Sequence, residues 1–215
     1  MRRALVVLGG CAPGAAFLRK MAAESDFLLC ADSGLDAAIA ADVRPDAVIG
    51  DFDSARPESI AYMERENLPH IVYPAIKDDT DGMACARYLL ERRPEEVVFV
   101  GAGGGRIDHW MANFQLLIYL EKNGIRARAE QEDMTAWAVH DRLTVRGTPG
   151  QLLSVLQMTE ELQLSLSGLF YPLDHCDVEF GHPLGVSNVL TEPEAQIAVH
   201  KGWALVLHFH PPLEA

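Results

Sequence analysis

Val97-Val98-Phe99-Val100-Gly101-Ala102-Gly103-Gly104-Gly105-Arg106-Ile107-Asp108-His109 reads as a short apolar strand, a glycine turn and the head of a helix. The helix should run from Ile107 to Lys122, because Trp110, Phe114, Leu117 and Leu120 fall on one face, and Arg126–Ala129 should be the next strand. Working back from this unit, the same alternation recurs from residue 4. Ala4–Leu8, Phe27–Ala31, Ala47–Gly50 and His70–Tyr73 read as strands, and Thr80–Arg92 reads as a helix with Met83, Ala86 and Leu90 facing the core. Strands alternating with helices signal α/β layering around a mostly parallel sheet. Beyond about residue 133 the rhythm changes. Leu162, Leu164 and Leu166 alternate with Gln163, Ser165 and Ser167, the period of a half-buried antiparallel strand. The expected organisation is an α/β domain over 1–132 and an all-β domain over 133–215. A terminal hairpin is expected from Gln196–His200, the turn Lys201-Gly202, and Ala204–Phe209.

With 215 residues, 49% of them hydrophobic, the chain can bury a substantial core. Its 18 Lys and Arg against 31 Asp and Glu, a net charge of −13, exclude a broad electrostatic grip on nucleic acid or anionic lipid, so any phosphate must be met locally. Cys11, Cys30, Cys85 and Cys176 show no C-x-x-C spacing, against a zinc knuckle or redox pair, and read as buried thiols of a reducing cytoplasm. Gly9-Gly10 cut the first apolar run too short for a signal peptide, and no later run approaches the length of a membrane span. His208 and His210 could bind metal, but with no third ligand at a recognisable spacing they read as a surface pair on an edge strand.

Three polar clusters each follow a predicted strand, where open parallel sheets place their ligand crevice. In Gly50-Asp51-Phe52-Asp53-Ser54, Asp53 or Ser54 could cap a helix beginning near Pro57, or the carboxylates could face a ligand. In Lys77-Asp78-Asp79-Thr80-Asp81, one residue can be an N-cap, but three carboxylates within four positions repel one another unless a cation compensates. That density suggests a hard metal ion held by oxygen. In the third, the glycines of 101–105 let backbone approach a polyphosphate, Arg106 offers a planar fork, and Asn113 lies one helical turn beyond His109. Neither G-x-G-x-x-G nor G-x-x-x-x-G-K-[ST] is present. Together the clusters fit Mg²⁺ bridging Asp side chains and phosphate oxygens, with a further Asp accepting a hydroxyl proton.

Gly50-Asp-Phe-Asp-Ser54, Asp79-Thr-Asp81 and Gly105-Arg-Ile-Asp-His109 with Asn113 resemble, in order and spacing, the motifs of the thiamine pyrophosphokinase family. Gly9-Gly10, Ala31-Asp32-Ser33-Gly34, Gly168-Leu-Phe-Tyr-Pro-Leu173 and Gly185-Val-Ser-Asn188 resemble its other landmarks. The resemblance implies an N-terminal αβα domain for Mg-ATP, a C-terminal antiparallel β-sandwich that helps bind thiamine, and a homodimer with active sites between subunits. It implies diphosphate transfer from ATP to the thiamine hydroxyl, giving AMP. By matching position, Asp51, Asp53, Asp79 and Asp81 take the metal and phosphate, with Arg106 and Asp108 near the transferred group. Gly9, Gly10, Asp32, Ser54, Thr80, His109 and Asn113 join the nucleotide site, and Tyr171, Ser187 and Asn188 the thiamine site. For Tyr171, as for Trp137 and Trp203, a core position is the commoner role of such a residue. Ser33, Asp36 and Val189 depart from the family's usual Gly, Asn and Glu. Two alternatives remain: a related Mg-dependent nucleotide transferase with another acceptor, and a non-catalytic nucleotide or thiamine sensor.

Overall fold

The computed structural model describes residues 1–52, 55–72, 79–104 and 106–212, so Asp53, Ser54, Tyr73, Lys77, Asp78 and Gly105 lie outside the described residues. The chain divides into two compact units, Met1–Glu132 and Asp133–Ala215.

The first unit runs β1 (Arg3–Val7), α1 (Ala15–Ala23), β2 (Phe27–Ala31), α2 (Gly34–Ala40), β3 (Ala47–Gly50), α3 (Pro57–Arg65), β4 (His70–Val72), α4 (Asp81–Arg92), β5 (Glu96–Val100), α5 (Ile107–Lys122) and β6 (Arg126–Glu130). Its strands lie in the order β6-β5-β1-β2-β3-β4, and every pairing among them is parallel. Parallel strands buried on both faces read as continuous apolar runs, which is why Ala4–Val7 and Val97–Val100 show no alternation. Leu5 and Val7 pack with Leu18 and Met21 of α1, Leu35 and Ala38 of α2 and Met63 of α3. On α4 the buried side centres on Ala84, Cys85, Ala86 and Leu89, while Met83 and Leu90 are only half-buried, a rotation from the expected face. α4 packs on β2 and β3, and α5 on β6.

Local chemistry sets the helix ends. Thr80 caps α4, its Oγ1 accepting the Met83 N–H at 3.3 Å, and the left-handed Arg93 followed by Pro94 stops it. Pro57 opens α3 at the first turn, with Arg56 at the N-cap position; the capping role considered for Asp53 or Ser54 lies outside the described residues.

The second unit runs β7 (Met134–Val139), β8 (Arg142–Arg146), β9 (Gln151–Gln157), β10 (Leu162–Ser167), β11 (Leu173–Val178), β12 (Asn188–Val189), β13 (Glu194–Lys201) and β14 (Ala204–Pro212). They form two antiparallel layers, β12-β9-β14-β7 and β11-β10-β13-β8. Leu153, Val155 and Val206 of one layer share a core with Leu164, Leu166, Ile197 and Val199 of the other, as a β-sandwich requires. The α/β-plus-sandwich fold class read from the sequence is therefore the one observed.

Two expectations for this unit fail. The terminal hairpin does not form: β13 pairs with β10 and β8, β14 with β9 and β7, and Lys201-Gly202 carries the chain from one layer to the other. Gly202 allows that crossing, with φ +84° and no room for a Cβ beside the Glu161 carbonyl. β14 is accordingly central in its layer, so His208 and His210 are not an edge pair. His208 is buried, its Nε2 lying 3.0 Å from Gln151 Oε1, and His210 Nε2 lies 2.8 Å from Thr135 Oγ1. Trp137 packs partly buried against the core, and Trp203 lies against His140. Cys30 and Cys85 are buried, but Cys11 is exposed and Cys176 half-exposed, against the expectation of four buried thiols. Among the described residues, no helix is long and apolar enough to cross a membrane.

Candidate functional site

β1 lies at the point where the strand order reverses, with β2, β3 and β4 on one side and β5 and β6 on the other. The crevice at the carboxyl ends of such strands is where open α/β sheets take ligands. A cleft of about 610 Å³ opens there.

The loops leaving β1 and β5 are interlocked. The Leu8 N–H donates to Val100 O at 2.9 Å, the Gly10 N–H to Gly101 O at 3.1 Å, and the Cys11 N–H to Gly103 O. A Cβ on Gly10 would stand 2.0 Å from the Gly103 carbonyl oxygen, so no other residue fits without parting the loops. β2 ends in Ala31 and Asp32. Asp32 is 4% exposed, adopts a left-handed φ of 46°, and donates its N–H to Ile49 O at 2.8 Å. From β3 comes Asp51, half-buried in the cleft wall. Asp79, Thr80 and Asp81 arrive at the head of α4, and Arg106, His109 and Asn113 from the head of α5.

Gly9, Gly10, Asp32, Asp51, Asp79, Thr80, Asp81, Arg106, His109 and Asn113 thus converge on one cavity. Asp108 does not line it. Its carboxylate instead receives the Arg106 fork, Nε to Oδ1 at 3.2 Å and Nη2 to Oδ2 at 2.6 Å. That hydrogen bonding holds the Asp108 carboxyl below its ordinary range and raises Arg106. Asn113 donates Nδ2 to Ala102 O at 2.7 Å, bracing the β5 loop. Asp79 is met by Arg87 of α4. Of the departures, Ser33 lines the cleft, whereas Asp36 accepts the Arg56 N–H at 3.2 Å and ties α2 to the start of α3. Gly103 and Gly104 line the cleft, as does Cys11, which was not singled out for it; its position just beyond β1 at the reversal point was the available signal.

The anionic groups lining the cavity are the carboxylates of Asp32, Asp51, Asp79 and Asp81, the chemistry of a hard cation. Among the described residues, no three His, Cys, Asp or Glu form a group able to hold a metal by themselves. Mg²⁺ commonly keeps several waters and phosphate oxygens in its shell, so one or two carboxylates are a sufficient protein share.

The second unit has a cavity of its own, about 460 Å³, walled by Phe170, Tyr171 and Pro172 on one side and by His182, Leu184 and Val186 on the other. Tyr171 is 63% exposed, so the core role considered for it is not the one observed. Asn188 lines the cavity yet is 1% exposed. Its Oδ1 accepts the Tyr171 N–H at 3.0 Å and its Nδ2 donates to Tyr171 O at 2.9 Å, so it fixes the backbone of the aromatic wall. Ser187 is exposed beside the cavity with a left-handed φ of 57°, and its N–H donates to Ser154 Oγ at 3.0 Å. His182 and Leu184 were not foreseen, because nothing in their local sequence marks a wall formed by a long connection.

Residues 18–129 match the family model described as the thiamin pyrophosphokinase catalytic domain, and residues 142–203 match its vitamin B1 binding domain. Among curated proteins, a thiamine pyrophosphokinase of Bacillus subtilis (strain 168) is 28% identical over 179 residues, covering 82% of this chain and 84% of that one. The crystal structure of thiamine pyrophosphokinase from Bacillus subtilis superposes with a TM-score of 0.86 at 25% identity, covering 97% of this chain and 99% of that one. A thiamin pyrophosphokinase family protein from Enterococcus faecalis gives a TM-score of 0.82 at 27% identity over 98% and 100% of the two chains.

Proposed function

The chain belongs to the thiamin pyrophosphokinase family, and on that premise we propose that it transfers a diphosphate group from ATP to the hydroxyl of thiamine, releasing AMP. The observation that carries this reading is the convergence of Asp51, Asp79 and Asp81 with Arg106 and two interlocked glycine loops in one cleft. The thiamine oxygen forms a bond to the β-phosphorus as the bond from that phosphorus to the α–β bridging oxygen breaks. The bond's electron pair leaves on AMP, and the hydroxyl proton passes to a carboxylate of the cleft. Such a transfer asks mainly for positioning and charge neutralisation.

Each group has a role in that scheme. The small residues of the interlocked loops, Gly9 and Gly10 among them, admit phosphate close to backbone, and Asp32, Thr80, His109 and Asn113 border the nucleotide. Arg106 meets the transferred group, and Asp108 aims its fork until phosphate oxygens replace the carboxylate. Mg²⁺, when bound by the Asp cluster, neutralises charge between carboxylates and phosphate. Asp53 and Ser54, outside the described residues, belong to the same proposal by their place in the sequence. For the acceptor, the exposed aromatic wall of Phe170 and Tyr171 suits a cationic ring, with Ser187 beside it. Exposed Ile107 and Met111 on α5 and Phe170 and Tyr171 also support a homodimer that covers them, with active sites between subunits. Free thiols without paired spacing support a cytoplasmic location.

The test is incubation of the purified chain with ATP, Mg²⁺ and thiamine, with chromatography for products. Equal amounts of AMP and thiamine diphosphate should form, and both should vanish with EDTA or without thiamine. ADP as product, or intact ATP, would sink the proposal.

A further inference from the structure

Asp79 and Arg87 form an ion pair on the acidic corner of the cleft, and it links two parts of one helix entry. Arg87 sits on the second turn of α4, and its guanidinium reaches back to both oxygens of Asp79, with Nε 3.3 Å from Oδ2 and Nη2 3.3 Å from Oδ1. Between them stand Thr80, the cap of the helix, and Asp81, its first residue. The pair therefore closes a short ring of structure around the peptide that carries Asp81. A planar fork on both carboxylate oxygens holds orientation as well as charge. Mg²⁺ demands directly bound oxygen in near-octahedral array, and a carboxylate already facing a guanidinium with both oxygens is poorly placed to supply it.

We infer that Asp79 is a positioning residue and not a ligand of the cation: held by Arg87, it fixes the Thr80–Asp81 corner so that Asp81 is presented to the metal-nucleotide. The inference rests on the Mg-ATP reading and divides the acidic cluster between two tasks. Asp51 and Asp81 meet the cation. Asp79, neutralised by Arg87, orients Asp81 and lowers the repulsion that three like charges at one corner would impose.

Mn²⁺ serves as the probe, its free signal followed by electron paramagnetic resonance during titration of the full chain in the presence of a non-hydrolysable ATP analogue. The variants are Asp79→Asn, Arg87→Ala, the double variant and Arg87→Lys, each also taken through a thermal melt and steady-state kinetics. A ligand and a positioning residue give opposite results in Arg87→Ala. If Asp79 positions, Asp79→Asn and Arg87→Ala weaken Mn²⁺ binding by the same factor, on the order of tenfold as for other outer-shell partners. The double variant is then no worse than either single, because the two act as a unit. Arg87→Lys, which keeps charge without the fork, restores binding only in part. If Asp79 is a ligand, Arg87→Ala leaves binding unchanged or tightens it while Asp79→Asn weakens it, and that pattern overturns the inference, as does a double variant whose losses multiply. A wild-type chain that takes up no Mn²⁺ with the nucleotide overturns the Mg-ATP reading and the inference with it, an outcome distinct from wild-type binding with the opposite variant pattern.

Discussion

Arg106 and Asp108 stand two residues apart at the head of α5, both more than half exposed, and still engage through two hydrogen bonds. Because the Arg106 hydrogen bond holds the Asp108 carboxyl below its ordinary value of 3.8, the pair is complete above that value and is lost only as pH falls through the lower folded one. Any acid limb of the pH–rate profile above that value should therefore persist in Asp108→Asn, while the ATP requirement of that variant rises; a limb that disappears in the variant would show that Asp108 itself titrates in catalysis. Asp81→Asn should lower turnover by roughly tenfold or more with an unchanged melting temperature, since Asp81 is exposed and lines the cleft. Wild-type turnover would remove Asp81 from the mechanism. Asn188 is a different case. Buried and bonded to both backbone groups of Tyr171, it should on replacement by Ala cost about 1–3 kcal/mol of stability as well as raise the thiamine requirement more than the ATP requirement. Equal shifts in both requirements would argue against its place at the acceptor wall.

At the scale of elements, α5 was legible to the residue: the sequence predicts Ile107–Lys122 and the helix spans Ile107–Lys122, because a long amphipathic run defines its own period. Leu117 is fully buried on it, so Leu117→Ala should cost about 2–5 kcal/mol in urea unfolding. A loss under 1 kcal/mol would mean that the helix relaxes to fill the gap. The β13–β14 turn was misread for a physical reason: Lys201-Gly202 signals a reversal, but a reversal can return to the same layer or cross to the other, and only the pairing of distant strands decides. The acidic clusters were legible as a site because each follows a strand and the sheet rule brings strand ends together. What remained hidden were side-chain bonds set by packing, such as Arg87 to the Asp79 carboxylate and Asn188 to the Tyr171 backbone.

Across the whole molecule, His208 and Glu96 give the two units different expected responses to acid. In the second, burial first and the His210 charge next push the His208 imidazole below its ordinary 6.5. The unfolded chain then binds the proton more readily, so this stabilisation is complete above 6.5 and is lost as pH falls from there through the folded value. In the first, burial alone would raise the Glu96 carboxyl, but the Arg128 charge and the Arg3 hydrogen bond outweigh it and hold it below 4.5. Its contribution persists until pH falls through that lower value. Acid titration should disturb the environments of Trp137 and Trp203, in the second unit, at higher pH than that of Trp110 in the first. Single-tryptophan variants followed by fluorescence would show it, and coincident transitions would mean that His208 does not govern the second unit.

The central place of β14 between β9 and β7 also bears on how the protein is made. Every strand of the first unit has been synthesised by residue 130, so that unit can emerge and fold while the rest is still being translated. The second cannot: β7 and β9 emerge early and wait with open edges for the strand synthesised after all the others. At 5–20 residues per second that interval lasts on the order of several seconds, during which the nascent chain presents the kind of unpaired edges that recruit chaperones or aggregate.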